Sequence, residues 1–205
     1  MKSKKNKLQV GKFKEKTLKF DEKKVQAAIK LLLEAFGEDL NREGLRHTPE
    51  RVAEFYKETL SGNSVKSLKF INTYHTTEEH EGIVLIKDVS FYSLCEHHLL
   101  PFFGKIHIAY KTQNDKVIGV SKLVRIVEVF ANRLQLQERF TKQIANVVMR
   151  SINPCGAMVI VEAEHLCMTM RGVKKFGSKI ITSAVRGVFL KDAKIRAETM
   201  MLLRS

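Results

Sequence analysis

The segment FYSLCEHHLLPFFG at residues 91–104 carries the most distinctive chemistry of the chain and ends where a strand is predicted. Cys95, Glu96, His97 and His98 are consecutive here, between apolar stretches. Thiolate sulfur and imidazole nitrogen are the ligands that zinc prefers. The two-residue gap between Cys95 and His98 allows a tight turn to direct both side chains at one ion. The segment therefore predicts part of a metal site, which needs another ligand from elsewhere in the chain.

That further ligand is predicted in EAEHLCMTMRG at residues 162–172, where His165 and Cys167 follow an apolar run typical of a strand. Cys155 is the alternative ligand, but it lies in a Pro-Cys-Gly break without a nearby histidine, and we interpret it as a small buried or partly exposed thiol. Three protein ligands leave a position for water or substrate, as in catalytic zinc sites, unless His97 closes the site. A free His97 and a free His165 would suit acid–base catalysis beside zinc-bound water.

Two further groups indicate a nucleotide-like ligand. A hydroxyl at a predicted helix start and three cations are suited to binding a polyphosphate, and no Gly-rich Walker loop occurs. These residues are Ser121, Lys122, Arg125 and Arg171. The run Gln137-Glu138-Arg139 opens another predicted helix. Helix-dipole complementarity alone explains Glu138, and the functional alternative is that its carboxylate accepts hydrogen bonds from an amidine-like edge such as that of guanine.

The hydrophobic pattern predicts an N-terminal helical hairpin followed by an α+β domain. Apolar residues recur with the helical period over 25–36, and Thr48 is the predicted N-cap of a second helix with Pro49 in its first turn. The order expected after the hairpin is β-β-α-α-β-β-α with antiparallel strand pairs. The predicted strands are 83–89, 105–110, 157–163 and 178–189, and the predicted helices are 121–134, 138–152 and 192–203.

Composition and charge limit the class of protein. The chain has 205 residues, of which 44% are hydrophobic, enough for one core domain and a small helical appendage. No apolar run approaches the roughly 18 residues of a membrane helix. No secretory signal is evident and the cysteines number three, so we expect no membrane association and a reducing, cytoplasmic setting.

A basic segment forms the N-terminus. Residues 1–24 hold ten lysines against three acidic residues, which is half of the net charge of +14. We predict a disordered tail there, a helical hairpin at 25–62 and a catalytic domain at 63–205. The tail has no arginine, the usual residue for bidentate phosphate or base contacts, so we do not expect nucleic-acid binding.

The motifs resemble those of GTP cyclohydrolase I. The matching segments are YSLCEHHLLPFFGKIHIAY at 92–110, VIGVSKLVRIVEVFANRLQLQERFTKQIA at 117–145 and EAEHLCMTMRGV at 162–173, with a looser match, NREGLRHTPERVAEFY, at 41–56. The resemblance covers about 25–205. It implies the tunnelling fold, an antiparallel sheet with a helix pair on one side, after an N-terminal helical hairpin. It also implies a homodecamer with active sites between subunits.

The resemblance further implies conversion of GTP and water to 7,8-dihydroneopterin triphosphate and formate, the first step of folate and tetrahydrobiopterin biosynthesis. It implies zinc ligation by Cys95, His98 and Cys167, proton transfer by His97 and His165, guanine binding by Gln137 and Glu138, and triphosphate and ribose contacts by Ser121, Lys122, Arg125 and Arg171. We expect Ser121 also to assist the sugar steps. The alternatives are a related tunnelling-fold enzyme with other ligands or a cysteine nucleophile, and a non-enzymatic protein with a closed structural zinc site.

Overall fold

The computed structural model describes residues 20–65, 73–75, 82–112 and 116–205. The helices are α1 (Glu22–Ala35), α2 (Thr48–Thr59), α3 (Val120–Ala131), α4 (Gln137–Ile152), α5 (Leu166–Thr169), α6 (Val188–Lys191) and α7 (Ala193–Arg204), with a 3-10 turn at Ser61–Ser64. The strands are β1 (Thr73–His75), β2 (Ile83–Cys95), β3 (Pro101–Lys111), β4 (Lys116–Ile118), β5 (Leu134–Gln135), β6 (Gly156–His165) and β7 (Lys179–Gly187). Within these residues no helix combines the length and the apolar character needed to span a bilayer.

A five-stranded sheet in the order β5-β2-β3-β6-β7 forms the centre of the domain. Its main pairings, β2 with β3, β3 with β6 and β6 with β7, are antiparallel, and the short β5 runs parallel to β2. Helices α3 and α4 pack on one face, where Phe102, Ile106, Phe130 and Phe140 are fully buried. The α+β fold with a helix pair on one side of an antiparallel sheet is thus confirmed.

The C-terminal elements cover part of the other sheet face. There Ala109, Met158 and the buried Phe189 of α6 form a second, smaller core, against which Ile195 and Met200 of α7 pack. The remainder of this face is more polar. The end of the sheet that carries the predicted ligands is therefore backed by α3 and α4, while α6 and α7 pack toward the opposite end.

A β-bulge in β2 changes which residues face the helices. Ile86 pairs with Ile108 and Val89 pairs with Ile106, so Lys87 and Asp88 together oppose the single residue His107. Because side chains alternate along a strand, one extra residue moves the inward-facing positions from 84 and 86 to 89, 91, 93 and 95. The bulge thereby places Cys95 on the helix side of the sheet.

Three side chains stabilise the bulge. Asp88 has a φ of 61°, in the left-handed region that asparagine and aspartate tolerate better than most residues. Its N–H donates to Nδ1 of His107 at 3.0 Å, and its carboxylate pairs with Nζ of Lys105 at 2.8 Å. The N–H that the bulge removes from the β-ladder is therefore satisfied by the imidazole.

The two N-terminal helices begin at residues other than those predicted. α1 begins at Glu22, three residues early, because the side chain of Asp21 accepts a hydrogen bond from the Lys24 N–H and caps the helix. Residues 1–19 of the predicted tail lie outside the described residues, which begin at residue 20. The prediction of Thr48 as N-cap was wrong: His47 is the N-cap, and the Thr48 hydroxyl donates to the Gly44 carbonyl instead.

Later boundaries differ as well. The predicted strand 83–89 continues to Cys95, past the bulge that interrupts its alternation. The helix predicted at 121–134 ends at Ala131, because Leu134 and Gln135 pair as β5 with the end of β2. The strand predicted to reach residue 189 ends at Gly187, where a φ of 60° turns the chain into α6.

The contact between β3 and β6 predicts a different tolerance to alanine at two glycines. A Cβ on Gly104 would lie 2.0 Å from the Glu162 carbonyl oxygen and 2.7 Å from Cα of Ala163, whereas a Cβ on Gly44 would have no neighbour within 4 Å. We expect Gly104→Ala to lower the free energy of unfolding by about 1–3 kcal/mol, because the strands must separate. Gly44→Ala should change it by less than about 0.5 kcal/mol. Urea denaturation at one protein concentration measures both, and equal midpoints would contradict the packing argument.

The imidazole at the bulge predicts a pH-dependent stability. The pKa of His107 is lowered, chiefly by burial, although the carboxylates of Asp88 and Glu162 act in the opposite direction. The contribution of the neutral His107 imidazole to the free energy of unfolding is therefore complete above the unfolded-state pKa of about 6.5. It is lost as the pH falls below that value. His107→Asn retains an acceptor but does not titrate. We expect Tm to fall more steeply for wild type than for the variant between about pH 6.5 and 5; parallel curves would exclude this role.

Candidate functional site

The three predicted metal ligands lie together at one edge of the sheet. β2 and β6 are both antiparallel to β3, so Cys95 at the end of β2 and the residues after β6 meet at the same edge. The ligand atoms of Cys95, His98 and Cys167 all lie within 4.8 Å of one another. Cys167 reaches this position on the short helix α5. Two segments about seventy residues apart in sequence thus form one group of donors.

A tight turn between β2 and β3 directs the side chain of His98. The Cys95 N–H donates to the Leu100 carbonyl at 2.9 Å, and the Leu99 N–H donates to the Cys95 carbonyl at 2.8 Å. Leu99 has a φ of 55°, which closes the turn. The rings of His97 and His98 are nearly perpendicular, with centroids 6.2 Å apart. The two adjacent histidines therefore point in different directions.

Neither of the two alternative ligands joins this group. Among the described residues, the donor cluster contains neither His97 nor Cys155. Both side chains are exposed, and all three cysteines are free thiols. The cluster is therefore a three-ligand arrangement of the kind that leaves one coordination position for water or substrate.

The chemistry of the donor set fits a zinc ion. Cys95 is only 6% exposed, and burial together with the neighbouring Cys95 raises the pKa of the Cys167 thiol. A buried and a half-buried sulfur lie side by side here, and two neighbouring thiolates need a cation to compensate their charge. A divalent ion provides that charge, and two sulfurs with one imidazole are a ligand set that zinc accepts. Cys95, His98 and Cys167 are thus the residues that would hold the metal.

His165 is fixed in one tautomer by Gln137. The imidazole Nε2 lies 2.8 Å from Oε1 of Gln137, and the ring stacks on Phe102 with centroids 4.5 Å apart. The Gln137 Nε2 donates to the carbonyls of Val161 at 3.1 Å and Ile180 at 2.9 Å, which assigns its oxygen as the acceptor. His165 therefore carries its proton on Nε2, and Nδ1 is the nitrogen that can exchange a proton.

Electrostatics favour the neutral form of this histidine. His165 is 8% exposed, and burial lowers its pKa, while the negative charge of Glu138 acts weakly in the opposite direction. A neutral imidazole near pH 7 is able to accept a proton. Glu138 itself is exposed in the first turn of α4.

The side chain of Gln137 is already hydrogen-bonded within the protein. It is 2% exposed, and its amide is fully engaged with the sheet and with His165. A guanine contact through this amide would require breaking these hydrogen bonds. What residue 137 offers instead is its main-chain N–H, because the first N–H groups of a helix have no partner within the helix.

Sequence reasoning assigned no role to Glu96 and Arg139, which form an ion pair beside the cluster. The guanidinium of Arg139 binds the Glu96 carboxylate and also donates to the Leu134 carbonyl at 2.8 Å and to Oε1 of Gln135 at 3.1 Å. The same ion pair holds the pKa of Glu96 below its usual range. The available signal in the sequence was a lone carboxylate between a predicted ligand and a predicted catalytic histidine.

The predicted phosphate contacts fall into two places. Nη1 of Arg171 lies 3.1 Å from Nε2 of His98, at the metal cluster. Ser121, Lys122 and Arg125 lie in the first turns of α3. In the described part of the chain, their side chains form no hydrogen bond or ion pair with the metal cluster, with His165 or with Glu138. One chain therefore brings the metal and proton-transfer groups together, while three of the four predicted phosphate contacts make no polar contact with them.

A cavity of about 290 Å³ on the outward face of the sheet contains none of the predicted site residues. Tyr92 and Phe103 stack along its wall with ring centroids 5.4 Å apart. Both of its lysines form ion pairs, Lys179 with Glu162 at 2.6 Å and Lys105 with Asp88 at 2.8 Å. The converging metal donors and His165 lie elsewhere, so we place the functional site at the metal cluster.

Comparison with known proteins identifies the family of this chain. Residues 25–204 match the family model described as GTP cyclohydrolase I. The GTP cyclohydrolase 1 of Carboxydothermus hydrogenoformans is 56% identical over 183 residues, covering 89% of this chain and 95% of that protein, and the GTP cyclohydrolase 1 of Clostridioides difficile is 54% identical over 185 residues, covering 90% and 97%. Among solved structures, an archaeosine synthase QueF-Like in the apo form covers 54% of this chain and 97% of its own, with a TM-score of 0.43 and 17% identity. The family model and the two enzymes each span most of the chain, and the chain therefore belongs to the GTP cyclohydrolase I family.

Proposed function

We propose that this chain converts GTP and water to 7,8-dihydroneopterin triphosphate and formate at the cluster of Cys95, His98 and Cys167. The observation that carries the proposal is this group of three donors, with His165 beside it and held in one tautomer. Membership of the GTP cyclohydrolase I family supports the reaction and the substrate. The three thiols are free, which suits the reducing cytoplasm that we propose as its location.

Zinc is the metal that we assign to this cluster. The chemistry that a bound zinc ion supplies is a water molecule with a pKa of about 7, so that hydroxide is available near neutral pH to attack C8 of the purine. The chain's own contribution is to hold two thiolates and one imidazole at an edge of the sheet that the substrate can reach. His98 is exposed there, and Cys95 is buried.

The two remaining histidines divide the proton transfers. His97 is exposed, next to a metal ligand, and we assign it protonation of N7, which makes C8 more electrophilic. His165 offers Nδ1, since its Nε2–H is directed at Gln137, and its lowered pKa suits acceptance of a proton during ring opening. One of these histidines is exposed and the other is buried, so the two have the different surroundings that suit an acid and a base.

The start of α4 is suited to recognising guanine. The exposed carboxylate of Glu138 can accept hydrogen bonds from N1–H and the 2-amino group, as the sequence suggested. We assign the contribution of Gln137 to its main-chain N–H, which can donate to O6, and to holding His165 in place. The positive end of the helix further favours an electron-rich oxygen at this point.

The separation of the cationic residues supports a site shared between subunits. Arg171 lies at the cluster, whereas Ser121, Lys122 and Arg125 in the first turns of α3 make no polar contact with it in the same chain. We propose that these three residues contact the triphosphate and ribose bound to another subunit of a homodecamer, with Ser121 assisting the sugar steps. Helix α1 exposes the large apolar side chains of Leu31 and Leu32, and its C-cap exposes that of Phe36. This exposure is consistent with an intersubunit role for the hairpin at 25–62, and we assign catalysis to residues 63–205.

Metal analysis tests the ligand assignment. We expect Cys95→Ser, Cys167→Ser and His98→Ala each to lose most bound zinc, because each removes one of three donors. Cys155→Ser and His97→Ala should retain about one zinc per chain, as the matched controls, since neither residue lies in the cluster. Zinc content by inductively coupled plasma mass spectrometry gives the stoichiometry. Loss of zinc from His97→Ala would instead indicate a closed four-ligand structural site.

Turnover of GTP tests the function. We expect the zinc-loaded protein to release formate and a neopterin phosphate in equal amounts, measured by a formate assay and by fluorescence after oxidation. His97→Ala should lower kcat by about 10²-fold or more while zinc stays bound, because a proton-transfer group contributes about 10²–10⁴-fold. Unchanged turnover in this variant would exclude the proton-transfer role, and absence of both products from the zinc-loaded wild type would refute the proposed function.

A further inference from the structure

Both the main chain and the side chain of Glu96 bind residues at the start of α4, one just before the helix and one in its first turn. Its N–H donates to the Gln135 carbonyl at 3.1 Å, and its carboxylate binds the guanidinium of Arg139. Glu96 lies between the metal ligand Cys95 and the histidine His97. The position of the turn that carries these residues therefore depends on residues 134–139.

The guanidinium of Arg139 is also hydrogen-bonded to residues outside the turn. Its Nη2 donates to the Leu134 carbonyl at 2.8 Å, and its Nε donates to Oε1 of Gln135 at 3.1 Å. Gln135 is 1% exposed, and its Nε2 donates to the Phe130 carbonyl at 2.8 Å. Because the guanidinium is planar and rigid, these bonds set the direction in which it meets Glu96. The carboxylate thus binds to a preorganised partner.

The ion pair connects the two halves of the site. The turn carries His97 and His98, while the first residues of α4 are Gln137, which orients His165, and Glu138. From these contacts we infer that the Glu96–Arg139 pair is a positioning clamp, which fixes His97 and His98 relative to Glu138 and so relative to the purine. This inference rests on the proposed function, because it concerns the geometry of that reaction.

Stabilisation of the fold explains the pair less well. The Arg139 and Glu96 side chains remain 40% and 30% exposed, and partly exposed ion pairs contribute little to stability because solvent screens them. The turn also has its own backbone hydrogen bonds between Cys95 and residues 99 and 100. Loss of the clamp therefore leaves the turn folded but free to shift against α4. A shift of about 1 Å in a reacting group is enough to cost about 10²-fold in rate.

The test compares Glu96→Gln and Arg139→Gln with the double variant and with Glu162→Gln. Glu162 also forms a partly exposed ion pair, with Lys179, but lies on the outward sheet face away from the cluster. We expect both clamp variants to lower kcat by about 10- to 100-fold, with KM for GTP changed by less than about 3-fold, since Glu138 still binds guanine. Zinc content and the urea midpoint should stay at wild-type values, and Glu162→Gln should retain wild-type kcat.

The double variant separates a clamp from two independent effects. If the pair acts as one unit, the double variant loses no more activity than the worse single variant, whereas independent effects multiply. Multiplying losses, unchanged kcat in both single variants, or loss of zinc in parallel with activity would each overturn the inference. Activity of the wild type in the same assay establishes the reaction separately, so failure of the clamp does not count against the proposed function.

Discussion

The bulge at Lys87 and Asp88 is the constraint on which the metal site depends. In an antiparallel sheet, a shift of one residue moves a side chain to the opposite face. Without the extra residue in β2, Cys95 would lie on the face that carries Tyr92, away from the donor atoms of Cys167. The hydrogen bond from the Asp88 N–H to His107 and the ion pair with Lys105 stabilise the irregular register. The face of the sheet on which Cys95 lies is thus determined by the bulge, about seven residues earlier in the strand.

Sheet topology then brings distant residues together. β2 and β6 both end at the edge where β3 begins, so the turn after β2 and the short helix after β6 are neighbours. A buried polar network attaches α4 to this edge: Gln137 donates to Thr182 Oγ1 at 3.1 Å, and Thr141 Oγ1 lies 2.7 Å from the same hydroxyl. Such networks are costly when incompletely satisfied, so they specify one arrangement of helix on sheet. The orientation of His165 follows from that arrangement.

Much of the fold and the ligand set was predictable because the signals are local. The helix predicted from residue 121 buries Leu123, Val127 and Phe130 at helical spacing, and Cys95, His98 and Cys167 lie together. The predicted element boundaries that were wrong lie where tertiary contacts override the local sequence pattern. Leu134 continues the helical period but pairs with β2 instead. The strand β2 was predicted to end at Val89, because the bulge interrupts its alternation two residues earlier, but it continues to Cys95.

The site residues differ in burial according to what they do. Sequence shows residue type and spacing, but not whether a polar group is already satisfied. Gln137 has the chemistry of a ligand-binding residue, yet it is buried and saturated with hydrogen bonds, so it orients a neighbour. His97 and Glu138, to which we assign contacts with the substrate, are exposed, as that proposed role requires. Arg139 lies between these cases: three acceptors bind its guanidinium, and only one of them belongs to the turn. Because Arg139 lies on α4 and also binds Glu96, it fixes the exposed turn relative to that helix. The turn can thus be accessible to substrate and still be ordered.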